Sequence, residues 1–159
     1  MIPSRSTVLR PVTRFLVVLT FFIGLSGGVA TTGAPTAQAA VSSSVATKAL
    51  TYTASRKGAL YKFGAVGPTR FDCSGLTKWA YARVGKKLPR TAAQQYKATI
   101  RVSRANARKG DLVFFLSGGR VYHVGVYAGA GRVWHSPRTG SRVKLVTIWT
   151  SAVRFGRVR

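Results

Sequence analysis

The stretch after Gly110 constrains the fold most. It breaks into short apolar runs separated by glycine turns: 111–116, the turn Ser117-Gly118-Gly119-Arg120, 121–127, the turn Gly129-Ala130-Gly131, 132–135, 143–149 and 152–158. Runs this short with such turns predict successive strands in an antiparallel meander. Before Gly110 the period changes. Val45, Ala49, Tyr52 and Ala54 recur at helical spacing across 44–57, with Ser44 as candidate N-cap and Gly58 as stop. Leu60-Tyr61-Lys62-Phe63 is too short for a helix, and Gly64, Gly67 and Pro68 mark a loop. Residues 73–84 are again helical, with Leu76, Trp79, Ala80 and Val84 on one face and Gly85 at the end. Thr91 and Gln94 hold the two positions of a capping box for a third short helix. Helices first and strands second predict an α+β domain, N-terminal helices packed on the sheet.

The first 39 residues read as an export signal and not as fold. Arg5, Arg10 and Arg14 precede an uncharged apolar run over 15–25, and Ala37-Gln38-Ala39 gives the A-x-A pattern before Ala40. The run falls short of the ~20 residues a spanning helix needs, so no stable membrane insertion is expected once it is removed. Residues 40–47 then read as a linker and 48–159 as one domain, small enough for a single core. The expected location is secreted or wall-associated, and the expected state a monomer.

Net charge narrows the partners. The chain carries +24, and removing the three arginines of the leader lowers this to +21. The cations are scattered along the chain, which predicts electrostatic retention on anionic wall polymers and gives no sign of specific nucleic-acid recognition.

Against that basic background a few residue types are scarce. Cys73 is the only cysteine, Asp72 and Asp111 the only acids, and His123 and His135 the only histidines. One cysteine cannot form a disulfide within the chain. A buried structural thiol is the bland reading; a thiol kept free because it reacts is the sharper one. Attack on an amide needs a thiolate, a base and a group that fixes the base. Cys73 opens a predicted helix, where free N–H groups and the positive dipole end favour thiolate. His123 and His135 fall on strands joined by a glycine turn, which brings two imidazoles together, His123 as base and His135 as orienter. A zinc site is disfavoured, because the Cys and His spacings lack short ligand pairs; no cofactor is expected. Asp111 reads as a structural cap or ion-pair partner.

Five segments, in order, resemble the NlpC/P60 family of cell-wall cysteine peptidases. Phe71-Asp72-Cys73-Ser74-Gly75-Leu76 is similar to its nucleophile motif and Leu88-Pro89-Arg90-Thr91-Ala92-Ala93-Gln94-Gln95 to the segment after its helix. Lys109-Gly110-Asp111-Leu112-Val113-Phe114-Phe115 resembles its first core strand, His123-Val124-Gly125-Val126-Tyr127 its base motif, and Trp134-His135-Ser136-Pro137 its third polar position. The likeness covers about 48–159. It implies a papain-like α+β fold and an endopeptidase of peptidoglycan stem peptides, cutting commonly between D-γ-glutamyl and the diamino acid. By that resemblance Cys73 is nucleophile, His123 base and His135 orienter. Tyr61 matches a tyrosine that helps hold the oxyanion or substrate, against a core-packing reading. Asp72 and Ser74 match positions that contact the free amine of the stem peptide in some members, and for Asp72 a helix-cap role stands beside that one. Phe63-Gly64 stands where the family usually has Trp-Gly. Two alternatives remain: an amidase, transpeptidase or acyltransferase using the same thiol, or a non-enzymatic cationic surface-binding protein.

Overall fold

A computed structural model describes residues 42–159; the expected leader over 1–39 lies outside them. Helix α1 (Ser43–Ala54) begins inside the expected linker. Ser42, not Ser44, caps it, its hydroxyl accepting from the Val45 backbone N–H. The earlier start is fixed by tertiary packing. It buries Ala46 and Ala49, and Gly110 comes so close that a Cβ there would stand 2.3 Å from the Ala46 carbonyl oxygen. Strands β1 (Leu60–Tyr61) and β2 (Arg70–Phe71) pair in parallel. Helices α2 (Cys73–Ala82) and α3 (Ala92–Ala98) follow, α3 with the Thr91–Gln94 capping box read from the sequence.

The rest is one antiparallel sheet: β3 (Ile100–Val102), β4 (Leu112–Ser117), β5 (Arg120–Gly129), β6 (Arg132–His135), β7 (Lys144–Thr147) and β8 (Val153–Arg157). Its spatial order is β3-β8-β4-β5-β6-β7. The expected meander runs from β4 to β7. β8 then crosses back to lie against β4, and the unanticipated β3 pairs with β8. β7 is shorter than its apolar run because Trp149 leaves the strand and stacks on Phe115, ring centroids 4.0 Å apart.

Both faces of β4 are covered, which is why its sequence is a continuous apolar run. Leu112 and Phe114 join Val124, Val126, Tyr81 and Ala49 under the helices. Val113 and Phe115 join Val133, Val153 and Phe155 on the far face. Each such side chain contributes about 1.5–3 kcal/mol on burial. The helical layer holds α2 against β5, and that contact sets the site.

Candidate active site

Asp72 caps α2, its Oδ1 accepting from the Gly75 backbone N–H at 2.7 Å. This fixes Cys73 as the first helical residue. Gly75 is required here, since a Cβ would stand 2.1 Å from the Ala65 carbonyl oxygen. The Asp72 carboxylate is engaged on every side. It also accepts from Gly64 N–H, from the Ser74 hydroxyl, and from both terminal nitrogens of Arg90. Asp72 is 5 % exposed. Of its two expected roles the geometry therefore carries the cap; no lone pair is left over for a substrate amine.

Two side chains that the sequence reading assigned no role lock this segment. Gln95, fully buried, donates to the carbonyls of Ser74 and Pro89 and accepts from the Thr77 hydroxyl. Ser136 donates to the Phe71 carbonyl at 2.8 Å, tying the residue after His135 to the strand before Cys73. Arg90 was missed likewise. All three lie in segments quoted for the resemblance, but their partners are distant in sequence and leave no periodic signal.

The imidazoles come from β5 and β6. Phe115 pairs with His123 but Leu116 pairs with Val121, so Tyr122 is an extra residue and the strand bulges beside His123. Such bulges re-aim a side chain. Two residues on, Gly125 faces the same side, and a Cβ there would stand 3.2 Å from the His135 Cβ and 2.5 Å from Val133. That glycine lets β6 close in. The result is His123 Nε2 to His135 Nδ1 at 2.9 Å. Both histidines are 5 % exposed, and His135 Nε2 is buried with no partner among the described residues. Trp149 lies over the His135 ring at 5.2 Å.

A cavity of about 800 Å³ brings together Tyr61, Asp72, Cys73, Ser74, His123 and His135, all six of the side chains singled out in the sequence. Phe63, Tyr122 and Trp149 form exposed aromatic parts of its lining. Among the described residues no three His, Cys, Asp or Glu side chains gather in a metal-binding group.

Protonation departs from the sequence expectation. Burial, and then the Asp72 charge, push the Cys73 thiol above its ordinary value, outweighing the Ser74 and Val124 N–H groups that favour thiolate. The helix-end argument is a local one and the desolvation is tertiary; here desolvation wins. Burial also lowers His123 to about 3, aided by His135, and His135 to about 4, aided by the Lys144 charge. At neutral pH these shifts favour a neutral thiol and two neutral imidazoles lining the same cavity. Tyr61 is raised by burial, Cys73 and Asp72, so its hydroxyl stays a donor.

Residues 58–154 match the model of the NlpC/P60 family. A probable endopeptidase p60 of Listeria monocytogenes is 45% identical over 106 residues, 64% of this chain and 22% of that protein. The bifunctional muramidase/DL-endopeptidase CwlT of Bacillus subtilis is 42% identical over 110 residues, 65% of this chain and 33% of that protein. The match thus spans a fifth to a third of these relatives. The crystal structure of the NlpC/p60 domain of the peptidoglycan hydrolase SagA superposes with TM-score 0.65 at 30% identity, covering 75% of this chain and all of that domain.

Proposed function

The chain belongs to the NlpC/P60 family, and on that premise we propose that it is a cysteine endopeptidase of peptidoglycan stem peptides, cutting the D-γ-glutamyl–diamino acid bond. The observation that carries the reading is the buried 2.9 Å His123–His135 contact on the wall of the cavity that Cys73 also lines. With Nε2 of His123 held by His135, Nδ1 is the ring nitrogen left to take a proton.

The reaction starts from neutral partners. As the Cys73 sulfur adds to the amide carbon, its proton passes to His123, and the new S–C bond leaves negative charge on the former carbonyl oxygen. The Tyr61 hydroxyl and backbone N–H groups at the start of α2, free of intrahelical partners, are the donors suited to that oxygen. Collapse breaks the C–N bond, and His123 returns the proton to the departing amine. Water then gives a proton to His123 and adds to the thioester carbon. The S–C bond breaks, the leaving sulfur takes the proton back from His123, and a carboxylic acid, the thiol and the neutral imidazole result. His135 fixes the His123 tautomer and spreads the charge of the transient imidazolium. The neutral resting state suits this cycle, because the ion pair forms only as the transition state is approached.

The name of the Bacillus relative, a DL-endopeptidase, supports the choice of bond. Export, monomeric state and retention on anionic wall polymers belong to the same reading. Asp72 and Asp111 are both buried and each is ion-paired with an arginine, so the +21 charge of 42–159 meets solvent without exposed side-chain carboxylates. Among the described residues no helix is long and apolar enough to cross a membrane.

The test is digestion of synthetic stem peptides by the protein and by Cys73→Ala, with products identified by mass. A new amine on the diamino acid and a free γ-carboxyl are expected from the parent only. Products cut elsewhere, or full activity in Cys73→Ala, would overturn the reading.

A further inference from the structure

We propose that Arg138 and Arg90 form a carboxylate-binding subsite in the cavity, so that the protein selects peptides whose γ-glutamyl residue bears a free α-carboxylate over the amidated form. The inference rests on the peptidase reading and deepens it.

The cavity's charges are unequal once pairing is counted. Asp72 is its only acid. That carboxylate is 5 % exposed and saturated by Arg90, Ser74, Gly64 and Gly75. Arg90 is not saturated in return. Nη1 donates to Asp72 and Ser74, and Nη2 donates once to Asp72. A guanidinium has five N–H groups, so Nε–H and one Nη2–H remain. The Arg90 side chain is 37% exposed and lines the cavity.

Arg138 adds a second guanidinium from the loop between β6 and β7. Its backbone is held on both sides: the Ser141 N–H donates to its carbonyl, and Ser136, two residues earlier, is bonded to Phe71. Its guanidinium is exposed and has no hydrogen bond or ion pair among the described residues. A held backbone carrying an unpaired cation at a cavity wall is arranged for an anion from outside.

The γ-linkage supplies one. A glutamyl residue joined through its side chain keeps its own α-carboxylate, two methylene groups from the scissile carbonyl. Guanidinium N–H groups match that carboxylate in a planar fork. An α-carboxamide in the same place keeps one carbonyl acceptor but turns an N–H donor toward a guanidinium N–H and loses the charge, and a site built for paired hydrogen bonds disfavours the analogue that cannot complete them.

The experiment uses two synthetic stem peptides, identical except for an α-carboxylate or α-carboxamide on the γ-glutamyl residue. Binding is measured by calorimetry on the Cys73→Ala chain, so that no turnover intervenes. We expect the acid to bind at least ~10-fold more tightly, a factor within reach of one charge-assisted contact. Adding Arg138→Gln should weaken the acid alone and bring the ratio near one; Arg138→Lys should keep part of it. Lys57→Gln, an exposed cation outside the cavity, should leave the ratio unchanged. Equal binding of the two peptides, an equal loss for both in Arg138→Gln, or the same loss in Lys57→Gln would each overturn the subsite. The Cys73-bearing protein is assayed on the acid peptide in parallel. No cleavage there with the binding preference intact would sink the peptidase reading and support the subsite.

Discussion

His123 hands one ring nitrogen to His135, 2.9 Å away, while the far nitrogen of His135 is buried with no partner among the described residues. The chain of polar groups therefore ends at His135. Both acids of the chain are paired with arginines elsewhere, so in the proposed cycle the imidazolium is steadied by one neutral ring.

The two rings should then differ in how much each substitution costs. His123→Ala should lower kcat on the order of 10²–10⁴-fold, the range for a positioned base. His135→Ala should cost less, because His123 remains on the wall of the cavity that Cys73 lines. Steady-state kinetics on a stem peptide reads both, and unchanged kcat in His123→Ala would remove it from the reaction.

Stability should fall with acid. Both histidines have folded values, about 3 and about 4, below the ordinary 6.5. Below 6.5 the unfolded chain takes up protons that the folded one refuses. Their contribution is thus complete above about pH 6.5 and is lost as pH falls through 4 toward 3. Thermal unfolding between pH 7.5 and 4 should show Tm dropping. Replacing His135 by Gln should flatten the drop.

A thiol held neutral alkylates slowly at neutral pH. The iodoacetamide rate of Cys73 should keep climbing above pH 9, in line with the upward push from burial and Asp72. A plateau reached below pH 7 would mean a preformed thiolate and would overturn the proton order proposed above.

Arg90→Gln removes the counterion of a buried carboxylate. Breaking a fully buried pair costs about 3–5 kcal/mol. Arg90 is partly exposed, so about 1–3 kcal/mol is expected, since water screens the pair. Denaturant unfolding measures it, and a neutral result would show that Gly64 and Gly75 satisfy Asp72 unaided.

Gly125→Ala puts a methyl group 2.6 Å from the Trp134 carbonyl and 3.2 Å from the His135 Cβ. The strand must shift, at about 1–3 kcal/mol for overpacking. Activity should drop by more than the lost stability explains, because the His123–His135 distance moves with it. Equal activity per folded molecule would argue against this.

The parts written in local patterns were the legible ones. The α2 cap and the Thr91–Gln94 box follow from residues three apart. The imidazoles were placed by two short strands joined by one glycine turn. Other features depend on partners far along the chain: the β8 crossover, β3, the true start of α1, and the braces Arg90, Gln95 and Ser136. The thiol's protonation belongs with these. Its helix-end position was readable, whereas its burial exists only once β5 has covered it. The bulge at Tyr122 is of the same kind, a one-residue offset that no periodicity reports.

The place of β8 sets an order in time. It lies between β3 and β4, so a ribosome that has reached residue 152 has made a sheet in two pieces, with β3 unpaired and one edge of β4 open. Pairing across that sequence distance is slow and comes late. Cys73 on α2 and the strands β5 and β6, which carry the two imidazoles and pair with each other directly, all precede β8, which closes the open edge of β4 after them.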